Sequence, residues 1–330
     1  MAKKIAGARG ALFLMLAALI WGTAFVAQSL GMDHTGPCTF TGARSFIGAL
    51  VLLPVVLLSR RLPGRKDQPA PQGSFWKRNG KLLASGALCG VLLGSGSLLQ
   101  QAGIQFTTAG KAGFLTALYI VIVPVLGIFL GRRPGAKVWI GVMIALVGAY
   151  LLSVTTGEAG GLAIGPGDLL VLLSAIFFSL HILTVDRVAG QLDGVALSCV
   201  QFFVAGVLST VLALFLEKPD FSGLLQAWGP LLYTGVLSSG VAYTLQILGQ
   251  QRVQPTVASL ILSLESVFAA VAGWIVLQEP LSPREIAGCV LVFAAVVLAQ
   301  LPDRKQDAIP APEGVRDTIT QEKGTCSGCG

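Results

Sequence analysis

The sequence predicts an all-α integral membrane protein, with ten transmembrane helices arranged as two inverted five-helix repeats. Three observations carry that expectation. Ten apolar stretches of about twenty residues fill residues 11–301 with only short polar breaks, and a helix rising 1.5 Å per residue needs about 20 residues to cross the hydrocarbon of a bilayer. Apolar residues make up 54% of the 330 and charged residues only 12%. A soluble domain carries roughly twice that share of charge, and this composition in water would leave large aggregating patches. The chain also holds a weak internal duplication, in which Thr107–Leu152 parallels Val253–Ala299.

The expected spans are 11–30, 40–58, 82–106, 107–130, 138–154, 167–185, 195–216, 229–249, 256–277 and 285–301. The first follows Lys3, Lys4 and Arg9 and runs to Leu30 without a small-residue cleavage site. That is too long for a secretory apolar region, so it reads as a retained helix. The second opens with Arg44 about one turn inside its end. The third carries Gly90 and Gly94 at GxxxG spacing, followed by Ser95, Ser97, Gln100 and Gln101, and the fourth carries Lys111 and Tyr119. His181 lies in the sixth, which ends at Asp186-Arg187; Ser238, Ser239, Tyr243, Thr244 and Gln246 lie in the eighth, and Glu265 in the ninth. After the tenth, residues 303–330 form a polar tail with proline and glycine, expected to be disordered and cytoplasmic.

Orientation follows from the basic residues, which favour the cytoplasmic side. With the N-terminus inside, nineteen of the 23 lysines and arginines fall on inner segments, and only Lys218 and Arg284 fall on outer ones. Both termini are therefore expected in the cytoplasm, with the plasma membrane as the location. Residues 1–154 and 155–302 each contain five spans. Five is odd, so the two halves enter the membrane from opposite sides, an arrangement common in secondary transporters. Arg133-Pro134 aligns with Glu279-Pro280, and Ala18–Trp21 with Ala175–Phe178.

Several motifs then resemble the drug/metabolite transporter superfamily, EamA type, across residues 11–301. They are Trp21-Gly22, Arg44-Ser45-Phe46, Thr107–Thr116, Glu265 and Gln278–Leu281. Ser266 stands where that family has a proline after the glutamate, which leaves a kink there open. The resemblance implies a ten-helix bundle with a central cavity that exports small metabolites, amino acids or related compounds. It implies no cofactor.

An ionisable group inside a span costs about 2.5–3.5 kcal/mol on insertion scales and tends to line a cavity or find a partner. Glu265 lies about 13 Å into its span by helical rise, near the midplane. An acid there either couples solute movement to protons or, as a neutral carboxyl, holds two helices together. Arg44 and Lys111 either form a positive mouth for an anionic solute or snorkel to the interface. Trp21 is a stacking wall or a packing residue, and Tyr119 is the repeat counterpart of Glu265. Gln101, Tyr243 and Gln246 are the expected walls of a polar, uncharged cavity, against the alternative of bonding between helices. His181 is a candidate cavity residue or proton relay. It and Asp186 match an H-x4-D acyltransferase spacing, but on one helix they lie about 140° apart and do not converge.

No Walker motif, HExxH or GxSxG occurs, so neither ATP hydrolysis, zinc hydrolysis nor serine catalysis is expected. The basic residues sit in loops rather than on one face, which excludes nucleic acid as a partner. Cys326 and Cys329 form a CxxC without the second pair a zinc site needs. The partners expected are the lipid bilayer and a small-molecule substrate, with a second copy of the chain left open. A lipid or lipid-carrier flippase is the rival to a solute transporter.

Overall fold

In hydrocarbon no water meets exposed backbone groups, so each segment must satisfy its own, and a helix does so along its length. The computed structural model describes residues 2–59, 75–107, 109–132, 134–153, 165–219, 221–277 and 282–300. No strand occurs among them. The helices are α1 (Ala2–Met32), α2 (Pro37–Ser59), α3 (Phe75–Ile104), α4 (Ala109–Ala117), α5 (Tyr119–Phe129), α6 (Ala136–Ser153) and α7 (Pro166–Val188). They continue with α8 (Gly194–Leu216), the short α9 (Phe221–Gln226), α10 (Trp228–Leu232), a π-helical segment Tyr233–Ala242, α11 (Tyr243–Gln250), α12 (Pro255–Leu262), α13 (Leu264–Leu277) and α14 (Pro283–Gln300).

Eight helical stretches among the described residues are long and apolar enough to cross a membrane. The protein is an all-α, multi-pass membrane protein. The fifth and tenth expected spans fall on α6 and α14, each 18 residues, near the lower limit for crossing hydrocarbon. The Gln278–Leu281 motif, Arg133, the 303–330 tail and the tail cysteines lie outside the described residues.

Two expected spans are broken. The fourth divides at Leu118, whose N–H bonds back three residues to the Leu115 carbonyl. The ninth divides at Ser263, and there the cause is visible. Ser259, Ser263 and Ser266 each donate a side-chain hydrogen bond to the carbonyl three residues earlier, at 2.7–2.9 Å. Such bonds compete with the helix ladder and bend it. Serine in place of the expected proline therefore does not leave the span straight. The eighth span contains the ten-residue π segment, a helix form often found at functional sites.

Because lipid tails are as apolar as leucine, helices associate by close packing and by hydrogen bonds between them. Gly90 on α3 faces the Gln201 carbonyl of α8, where a Cβ would come within 2.6 Å, and this is the packing role its GxxxG spacing suggested. Gly103 on α3 meets Gly167 on α7, and Gly10 on α1 meets Gly249 on α11. Gly22 brings α1 onto α13: a Cβ there would lie 2.6 Å from the Glu265 carbonyl oxygen.

Polar ties join the helix ends. Glu217, just past α8, accepts from the backbone N–H groups of Cys38 and Thr39 at 2.7 and 2.9 Å and from the Thr39 hydroxyl at 2.6 Å. It caps α2 from a distance of 178 residues in sequence, using donors that a helix start always leaves open. Burial opposes its charge, but the bonds from Thr39 and Cys38 prevail and hold the carboxyl below its ordinary range. Helix α7 is tied at both ends to the α4–α5 span, through Lys111–Asp168 at 2.6 Å and through Arg132–Asp186.

Candidate functional site

Where α1, α2, α3, α4, α5, α7, α11, α12 and α13 converge, they enclose a central cavity. The space open to the centres of water molecules is about 40 Å³, more than the ~10–15 Å³ that one water needs. That is room for a few waters. An organic solute enters only if the walls part.

The two broken spans place residues beside their breaks on this cavity. Tyr119 begins α5 directly after Leu118, and Glu265 sits two residues after Ser263. Leucine 262 from the other side of the second break also lines it. The acid of the ninth span thus lies on the cavity in the first turn after the break. Glu265 is 4% exposed, and its carboxyl faces the equally buried Tyr119 hydroxyl across the cavity wall.

Arg44 on α2 does not snorkel. It is 6% exposed, lines the cavity and donates from Nη1 to Gln28 Oε1 on α1 at 2.9 Å. Lys111 takes the other course and stays at the helix ends, paired with Asp168, which also accepts from Thr107 at 2.7 Å and from the Gly165 N–H at 2.7 Å. It does not line the cavity.

Tyr243 is the aromatic hub. Its ring lies 4.5 Å from the centroid of Trp21, and Phe202 and His181 meet it edge-on at 5.1 and 6.0 Å. Trp21 Nε1 donates to the Ser238 carbonyl in the π segment at 3.4 Å. His181 is 1% exposed and shares a 3.0 Å hydrogen bond between Nε2 and Gln201 Oε1. Gln246 lines the cavity with its Oε1 unpartnered.

Of the residues expected at a site, Glu265, Arg44, Trp21, Tyr119, Tyr243, Gln246 and His181 meet around one cavity. Gln101 does not line it: its Nε2 donates to the Gln28 carbonyl at 3.2 Å. Its neighbour Gln100 lines it instead, bonded to Thr116 at 3.0 Å. Adjacent helical residues point about 100° apart, and the sequence alone does not say which of two glutamines faces inward. Gln28 was also not anticipated. A buried amide near the end of the first span was the signal available.

The EamA-like transporter family model matches the chain at residues 8–154 and again at 165–301. An uncharacterized transporter of Archaeoglobus fulgidus is 30% identical over 289 residues, covering 87% of this chain and 84% of that one. A WAT1-related chloroplastic protein of Arabidopsis thaliana is 27% identical over 293 residues, covering 86% and 67%. A solved crystal structure superimposes with a TM-score of 0.68 at 18% identity, covering 88% of this chain and 98% of that one. At that identity the likeness concerns the fold alone.

Proposed function

The chain belongs to the EamA-like transporter family, and on that footing we propose that it is a secondary transporter working by alternating access. Two inverted five-helix halves, ten crossings in all, rock about the central cavity and open it to each side in turn. The two successive family matches support this division. So do the breaks at Leu118 and Ser263, which fall within one residue of corresponding places in the duplicated segments. The ties between helix ends agree with both termini in the cytoplasm of a plasma-membrane protein. Lys111–Asp168 and Glu217–Thr39 join ends assigned outside, and Arg132–Asp186 joins ends assigned inside.

The observation that carries the reading is the cavity itself: small, central, and lined by a buried acid, a buried guanidinium and an aromatic hub. Glu265 is the coupling group. It takes up a proton from one side and gives it to the other, with Tyr119, Tyr243, Arg44 and His181 as the titratable groups around the same space. The cargo is a small metabolite, an amino acid or a related compound, and the direction is export; both follow from the family resemblance.

The test is flux into proteoliposomes of the solutes that accumulate in cells lacking the protein. An imposed pH gradient drives saturable uptake with the wild type, and the Glu265→Gln variant loses the gradient dependence. Gradient-driven flux that survives Glu265→Gln removes the coupling role. Lipid scrambling without solute flux removes the transporter reading in favour of a flippase.

A further inference from the structure

Among the described residues, two cations at helix ends have carboxylate partners, and one cation inside the bundle does not. Lys111 pairs with Asp168 and Arg132 with Asp186, although the side chains of Lys111 and Arg132 are 23% and 39% exposed. Arg44 is the most deeply buried of the three at 6%, yet the partner it meets is the neutral amide of Gln28. That is the reverse of what stability alone asks, because a buried guanidinium is costly unless an anion answers it. A carboxylate is at hand in the same cavity. Glu265 lines it, but Arg44 donates to Gln28, and the group beside the Glu265 carboxyl is the Tyr119 hydroxyl.

We propose that Arg44 is the anion subsite of the cavity, so that the solute bound there carries a carboxylate or a similar small anionic group. The inference rests on the transporter reading and narrows its substrate class. A guanidinium presents five N–H donors in a planar fork, and carboxylates accept from it two at a time. One donor is engaged by Gln28. Gln28 is itself steadied from α3, where Gln101 donates to its backbone carbonyl at 3.2 Å. Gln28 is thus a positioning residue: it aims the fork without neutralising it. Glu265, beside the Tyr119 hydroxyl, and Gln246, whose buried Oε1 has no donor, line the same cavity. They suit an N–H or ammonium group of the same solute. Trp21 and Tyr243 supply its aromatic wall. The arrangement excludes purely cationic solutes, which Arg44 repels.

The experiment measures thermal unfolding of the purified full-length protein with three matched sets of probes. These are the common L-amino acids, their carboxamides, which lack the anion, and the corresponding amine-free acids. A ligand of the folded state raises the midpoint with concentration. At least one acid-bearing probe raises the wild-type midpoint, and its carboxamide is at least about tenfold weaker, as loss of a charged hydrogen bond implies. Arg44→Gln loses the response. Should that variant fail to fold, Gln28→Glu serves in its place, since the added carboxylate meets the guanidinium where it stands and competes with the probe. Carboxamides as effective as acids, no response to any acid, or a wild-type response in Gln28→Glu overturns the proposal. Flux is read separately. Movement of neutral solutes only refutes the anion subsite and leaves transport standing, whereas acid binding without flux of any solute refutes transport.

Discussion

At the scale of single residues, the side chains that matter are those whose partners lie far away in sequence. Glu217 illustrates the energetics. Its carboxylate closes donors at the start of α2 that no local side chain reaches. Its folded pKa lies below the unfolded value of about 4.3. The carboxylate therefore adds stability at any pH above that unfolded value, and the contribution disappears as pH falls through the folded one. Thermal midpoints of the wild type and Glu217→Gln in detergent should differ most near pH 7 and converge only as pH falls through the lowered folded pKa, where the wild type is protonated as well. A gap that stays constant over that range would mean that the hydrogen bonds do not depend on charge. Residue scale is also where the sequence was least legible. Arg44 and Lys111 each sit about one turn inside a span, yet one turns into the cavity and the other pairs at the helix ends. The difference lies in their neighbours: Asp168 waits beside Lys111, and only an amide waits beside Arg44.

At the scale of elements, the breaks and the glycines do the positioning. The break at Ser263 is followed within one turn by Glu265 on the cavity, and Gly22 allows α1 to lie against the same stretch of α13. Gly22→Ala places a methyl 2.5 Å from Phe268 Cβ and 2.6 Å from the Glu265 carbonyl oxygen. Overpacking of that kind costs about 1–3 kcal/mol, so both the unfolding midpoint and solute flux should fall. Gly7→Ala is the control, since nothing lies within 4 Å of a Cβ there, and its midpoint should hold or rise slightly. Equal behaviour of the two variants would show that the α1–α13 approach is not tight. The eighth and ninth spans were legible as spans, through length and hydropathy. The break at Ser263 left a trace in the serines at positions 259, 263 and 266. The break at Leu118 left none, because its immediate neighbours are ordinary helix formers.

At the scale of the whole molecule, the proposed threading is the one that the charge asymmetry and the end-to-end ties both fit. A reporter fused after Pro302 should be active in the cytoplasm, and one inserted at the Asp33–His34 turn should report the opposite face. Both on one side would contradict two halves of five crossings. The same threading explains why α7 is tied to the α4–α5 span at each end. In that proposed threading, residues 57 and 54 positions apart return to the same membrane face once the intervening chain has crossed and come back.

The sequence by itself determined that this chain lives in a membrane, roughly where each span begins, which loops carry its positive charge, and which few polar residues are costly enough to need a reason. Those are properties of length, hydropathy and composition, and they survive without knowledge of neighbours. Only the tertiary structure decided which of those residues meet: Gln100 rather than Gln101, Arg44 with Gln28, Tyr243 between Trp21 and His181. In a helix that is apolar nearly all round, no amphipathic stripe distinguishes the face toward lipid from the face toward protein. Rotation about each axis is therefore set by packing between helices, through glycine contacts and paired charges drawn from distant parts of the chain.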